Sequence, residues 1–183
     1  MLYAFDGRRP RRGEGTYVSE HALVIGDVVI GENCYIGHGA ILRGDYGTIT
    51  IGAGTAVEEG VIVHVPPADL SDIGERVTIG HGAIIHSALI GDRAVIGMGA
   101  VLSIRARVGE NSIVAEGAVV KWNQVIPPDV VAGGNPARVI RPVANKDTEL
   151  WAGAKQLYID LAKKYLALGM ELIPHGPDKE KGR

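Results

Sequence analysis

A parallel β-helix, in which short strands coil into stacked triangular turns, is the all-β fold that this 183-residue sequence predicts. Three observations predict it. Aliphatic residues recur every six positions, a small residue stands two places before most of them, and a glycine often follows. The count runs Val18, Val24, Ile30, Ile36, Leu42, resumes at Ile51, Val57, Val63, again at Ile73, Ile79, Ile85, and continues Ile90, Ile96, Leu102, Val108, Val114, Val120, Ile126. A helix repeats at 3.6 and a sandwich strand at two. A period of six held over eighteen positions describes strands that turn a corner after each hexapeptide, three to a turn, hence about six turns with rungs ~4.8 Å apart.

The small residues, such as Ala22, Cys34, Ala40, Ala83, Ala94 and Ala118, share the inward face with the aliphatic two places on. Cys34 is thus an interior residue, not a reactive thiol. The following glycines (Gly31, Gly37, Gly52, Gly74, Gly80, Gly91, Gly97, Gly109) are expected to give corners their backbone freedom. Two stretches break the period, Arg43 to Ile49 and roughly Val65 to Asp72, and read as loops on a binding face. The repeat ends in Ala132-Gly133-Gly134-Asn135-Pro136-Ala137. Beyond Pro142 the spacing turns helical through Leu150/Trp151, Ala154, Leu157/Tyr158, Leu161 and Tyr165, with Asn145 or Asp147 as N-cap and Gly169 as stop. The expected organisation is a β-helix over 1–142, a helix over 143–169 packed alongside, and a disordered tail over 170–183.

Composition narrows the function. Lys+Arg 19 against Asp+Glu 21 excludes a basic nucleic-acid surface. No apolar run approaches the ~18 residues that cross a bilayer, and the charged start MLYAFDGRRPRRG reads as no signal peptide. A single cysteine points to a reducing, cytoplasmic setting.

Phase singles out three of the six histidines. His64 and His86 each follow an aliphatic of the same column, and Arg43 precedes them in it, so the three stack one rung apart. Two imidazoles at that spacing can converge on one metal. His81 lies around the preceding corner, roughly 10–15 Å from His86 in extended chain, too far for the same metal within one chain, and a neighbouring subunit of a threefold ring could supply it. Polar surface residues or interface hydrogen-bonders remain the alternative. His21, His38 and His175 read as surface residues.

The runs ILRGDYGTITIGAGTAVEEGVIVH, IGERVTIGHGAIIHSALIGDRAVIGMGAVL and AGGNPARVIR, followed by a helix with Tyr158, resemble the gamma-class carbonic anhydrase family from about Phe5 to Leu166. The resemblance implies a left-handed β-helix and a homotrimer with zinc, or iron or cobalt, at each subunit interface. It implies ligands His64 and His86 from one subunit and His81 from the next, and the reversible hydration of CO2 to bicarbonate by a metal-activated water. Arg43 and Asp45 match the family's Arg-Gly-Asp; the arginine would hold bicarbonate, with Asp45 or Glu59 fixing its guanidinium. An interface salt bridge is the other reading of that pair. Where the family commonly has Asn-x-Gln-Asp, this sequence has Ala56-Val57-Glu58-Glu59. A carboxylate at Glu58 would accept from the metal's water and oppose its ionisation, or act as a general base for hydrolysis. The family's acidic proton-shuttle loop is replaced by Tyr46 and a short VPPADLSD segment, and Ala154 stands where Asn is usual. Other hexapeptide β-helices are CoA-dependent acyltransferases, and close relatives are linked to CoA thioesters. An acyltransferase, a CoA-thioester hydrolase and a non-catalytic metal-stabilised trimeric scaffold are therefore the alternatives.

Overall fold

The computed structural model describes residues 1–173. Over these the chain winds into a parallel β-helix of about seven turns with one C-terminal helix along its side. Each turn contributes one strand to each of three faces. The first face stacks Leu2–Tyr3, the starts of Leu23–Ile30 and Ile41–Ile51, then Ile62–His64, Ile84–His86, Val101–Leu102 and Val119–Val120. The second stacks Arg11–Arg12, the ends of the same two long strands, then Leu70–Ile73, Leu89–Ile90, Arg107–Val108 and Val125–Ile126. The third runs from Tyr17–Val18 and Tyr35–Ile36 through Ala56–Val57, Thr78–Ile79, Val95–Ile96 and Ile113–Val114 to Val130–Gly133.

The eighteen periodic aliphatics form three columns of six, in register from rung to rung. The first-face column is Val24, Leu42, Val63, Ile85, Leu102 and Val120, each fully buried. Ile30 to Ile126 and Val18 to Ile96 and Val114 make the other two, and of the whole set only Val18 is less than fully enclosed. Removing any one of them from water contributes roughly 1.5–3 kcal/mol. The seventh turn comes from strands outside the periodic set, Leu2–Tyr3 and Arg11–Arg12 at one end and Val130–Gly133 at the other. Cys34 is interior as expected, and burial pushes its thiol up.

The corners correct the glycine reading. The glycine after each aliphatic is not left-handed. A Cβ at Gly97 would lie 2.5 Å from the backbone N of Glu116, and one at Gly80 2.8 Å from that of Met98, so these positions are bare because the next turn presses on them. The left-handed residue comes two places later, as at Gly82 (φ +67°), Gly99 (φ +66°), Asn33, Asn111 and Asn123. The first insertion is not a loop: Ile41–Ile51 is one continuous strand bent around the corner at Gly44–Gly47. The second is irregular only from Val65 to Asp69 and then joins the second face.

After Gly133 the chain reverses into Arg138–Pro142, which pairs antiparallel with Val130–Gly133 and closes the end of the prism. The helix spans Asn145–Leu168 and ends at left-handed Gly169. Its N-cap is Ala144, neither Asn145 nor Asp147. Asp147 sits three residues in, where it accepts the Ala144 N–H at 2.9 Å and pairs with Arg141. The helix lies on the third face and runs back toward the first turns, where Tyr158, Leu161, Ala162 and Tyr165 pack on Tyr17, Tyr35 and Ala56. Its buried stripe is Lys155, Ile159 and Ala162, whereas Leu150 and Leu157, expected on that face, are exposed. Residues 170–173 carry no regular structure; the remainder of the expected tail, with His175, lies outside the described residues.

Candidate metal centre

Strand register places Arg43 opposite His64 and His64 opposite His86, at the end of three successive first-face strands. The two imidazoles stack with ring centroids 5.0 Å apart. The Nε2 of His86 is buried and meets no hydrogen-bond partner among the described residues, a state that costs roughly 1–3 kcal/mol if nothing fills it. Burial, the Arg43 guanidinium and the His86 ring hold the His64 imidazole below its ordinary range, against the pull of Asp45. Both features suit neutral nitrogen donors to a divalent cation. Asp45 accepts from Arg43 at 2.7 Å, and although burial works against its ionisation, that bond and charge hold its carboxyl low.

The other candidates gather at the opposite edge of the same face, where the third face turns into the first. The column that carries Gly37, Gly80 and Gly97 has Glu58 in it, with its side chain enclosed under the next turn. Its Oε2 accepts from the backbone N–H of His81 at 3.1 Å and lies 3.1 Å from His81 Nε2. Glu59 sits 2.9 Å from His81 Nδ1 and accepts from the Tyr35 hydroxyl at 2.7 Å. Burial raises the Glu58 carboxyl, in part offset by the Tyr158 phenol and His81. For Glu59 burial also opposes ionisation, but the Tyr35 bond, its own backbone and His81 together hold it below the usual range. Two adjacent carboxyls are thus pushed apart, a pattern that separates acid from base roles. Burial and the Glu58 charge raise the Tyr158 hydroxyl.

Within one chain, then, Arg43, Asp45, His64 and His86 form one cluster and His81, Glu58, Glu59 and Tyr158 a second, separate one. Among the described residues, no group of three or more His, Cys, Asp or Glu side chains could hold a metal ion. Glu59 binds His81 and Tyr35, not Arg43, so of the two residues expected to fix the guanidinium only Asp45 does so. His38 is not a plain surface residue: its Nδ1 meets the Ser19 hydroxyl at 2.7 Å, and its ring packs on Tyr165. Tyr35, which anchors Glu59, was not singled out by the sequence; its place just before Ile36, facing outward beneath the helix, was the available signal.

Comparison with known proteins gives the family and agrees with the fold. The family profile described as hexapeptide repeat of succinyl-transferase matches residues 72–103. The carbonic anhydrase of Geobacillus kaustophilus is 31% identical over 180 residues, covering 98% of this chain and 99% of that protein. The mitochondrial gamma carbonic anhydrase 1 of Arabidopsis thaliana is 37% identical over 91% of this chain, which spans 62% of that relative's length. A solved Bacillus cereus structure, described as a putative acetyltransferase, superposes with a TM-score of 0.89 at 29% identity, covering 91% of this chain and 97% of that one. The chain belongs to the gamma-class carbonic anhydrase-like family of hexapeptide-repeat β-helix proteins.

Proposed function

We propose that this protein is a metal-dependent carbonic anhydrase-like enzyme that works as a homotrimer, with each metal held by His64 and His86 of one subunit and His81 of the next. The observation that carries the reading is the division of the site. Two stacked histidines, one with an orphaned nitrogen, occupy one edge of the first face, and the third histidine occupies the other edge. A ring in which one edge meets the opposite edge of a neighbour completes every site, and a heterologous contact of that kind gives a cyclic oligomer when its rotation closes. The outward side chains between the two edges support it: Leu23, Ile41, Ile62, Ile84, Val101 and Val119 are all aliphatic, and Ile62 and Ile84 are exposed. The third face is covered by the chain's own helix, and the second mixes Thr50, Asp72 and Arg107 with Val29, Leu89 and Val125 on its outward side. Among the described residues, only the first lacks both a polar surface and a cover, as parallel sheets seldom do.

A zinc, iron or cobalt ion there would supply an activated water near neutral pH. The chain's own residues do the rest. Glu59 holds His81 Nδ1, a carboxylate–histidine arrangement that increases ligand basicity, and Nε2 would exchange its 3.1 Å contact with Glu58 for the metal. Arg43, held by Asp45, presents its fork to the bicarbonate oxygens. Glu58, beside the Tyr158 phenol, would accept a hydrogen bond from such a water. That enclosed carboxyl also favours a second reading, hydrolysis or acyl transfer on a thioester with Glu58 as general base, in keeping with the putative acetyltransferase of similar structure. The test is metal content by mass spectrometry on anaerobically purified protein, with CO2 hydration and thioester cleavage assayed on the same sample. Near one metal ion per chain, lost in His86→Ala, and CO2 hydration are expected; metal-free protein of unchanged activity would overturn the reading.

A further inference from the structure

We infer that the cavity between the helix and the third face is a binding site for a small organic anion, a carboxylate on an apolar body. The cavity offers about 90 Å³ and is partly open, smaller than a drug-sized site and suited to a small ligand. None of its lining belongs to the metal centre. Three cationic side chains line it, Arg76, Arg93 and Lys155, beside an apolar wall of Trp151, Val95 and Ile113.

Lys155 is the central observation. It opens the helix's buried stripe, ahead of Ile159 and Ala162, where an apolar residue is expected, and is only 4% exposed. Its Nζ is buried without a hydrogen-bond partner among the described residues, and it stands 5.4 Å from the centroid of the Trp151 ring. A cation–π contact of that length compensates only in part for the loss of water. The Arg76 guanidinium adds repulsion, and together with burial this depresses the ammonium to about 8. The one carboxylate in the lining, Asp147, is already engaged by two hydrogen bonds from Arg141. Arg93 donates to Asn111 Oδ1 at 2.7 Å, which leaves its terminal nitrogens to a single 3.5 Å contact with Glu110.

A carboxylate between Lys155 and Arg76 removes the orphaned donor and the like-charge repulsion together, through charge-assisted hydrogen bonds. The indole and the two β-branched side chains give nothing for a small hydrated ion to bind, but they suit a flat or aliphatic body. A bare phosphate or acetate would leave that wall uncovered.

Calorimetric titration of the full-length protein at pH 7 with benzoate, hexanoate, acetate and inorganic phosphate tests this. Saturable binding of benzoate or hexanoate at one per chain is expected, at least tenfold tighter than acetate or phosphate. Lys155→Met and Arg76→Gln should each weaken it by about tenfold or more. Arg76 is only partly buried, so Arg76→Gln keeps the test available if Lys155→Met perturbs folding. Absence of binding by all four probes at tens of millimolar would overturn the proposal. So would binding undiminished in both variants, or phosphate binding as tightly as benzoate.

Discussion

If His64 and His86 come from one subunit and His81 from its neighbour, two individually inactive variants must complement one another. A chain with His64→Ala retains His81, while a chain with His81→Ala retains the stacked pair. Neither homotrimer builds a complete site. In a trimer co-refolded from equal amounts, a given interface has an intact pair half the time and an intact His81 half the time. About one quarter of interfaces regain all three ligands, or roughly three-quarters of a metal ion per trimer where the parent holds about three. The mixture of His64→Ala with His86→Ala should regain none. Those two residues sit on adjacent rungs of one chain, with rings 5.0 Å apart, so both losses fall on the same half of the site. Metal per trimer, measured by mass spectrometry after denaturation, mixing and co-refolding, reads the difference. Equal recovery in the two mixtures would refute the division of ligands, and metal retained by a single-variant homotrimer would refute the three-histidine site.

Glu58→Gln should increase CO2 hydration, or move its onset to lower pH, because it removes a negative charge that opposes ionisation of the water; if Glu58 is a hydrolytic base, the same change should instead abolish thioester cleavage. Gly97→Ala should destabilise by about 2 kcal/mol or more, because its Cβ meets the Glu116 backbone at 2.5 Å. Gly99→Ala, which meets nothing within 4 Å but has a φ of +66°, should cost only about 1–2 kcal/mol. Gly99→Asn should be milder than Gly99→Ala, since Asn33, Asn111 and Asn123 adopt this conformation elsewhere; thermal midpoints give the order. Lys155→Met should stabilise the protein at pH 7 by about 1–3 kcal/mol by removing a buried, unpartnered ammonium. The groups facing it are Arg76, Arg93 and Asp147. With the folded amine at about 8 and the unfolded at its ordinary 10.5, the unfolded chain binds more protons between those values. Parent stability should therefore rise with pH there, and the advantage of Lys155→Met should shrink as pH goes from about 8 toward 10. A constant difference across that range would show that Lys155 is not a buried cation.

The sequence by itself determined the prism. A repeat of six is a local property, written in each hexapeptide, and the columns from Val24 to Val120 follow by counting. So did the alignment of Arg43, His64 and His86, because in-register parallel pairing converts an equal phase into a vertical stack. The tertiary structure decided everything that depends on contacts between non-equivalent parts. It showed that the glycine after each aliphatic answers to the backbone of the next turn, which no single repeat reveals. It bent Arg43 to Ile49 into a strand where the broken period suggested a loop. It rotated the helix so that Lys155, Ile159 and Ala162 face inward, because the third face offers tyrosines as its docking surface and helical periodicity alone leaves the rotation open. And it gave Glu59 to His81 and Tyr35 and left Arg43 to Asp45. Which carboxylate meets which cation is set by side chains arriving from different turns and from the helix, and a linear count of residues does not hold that distance.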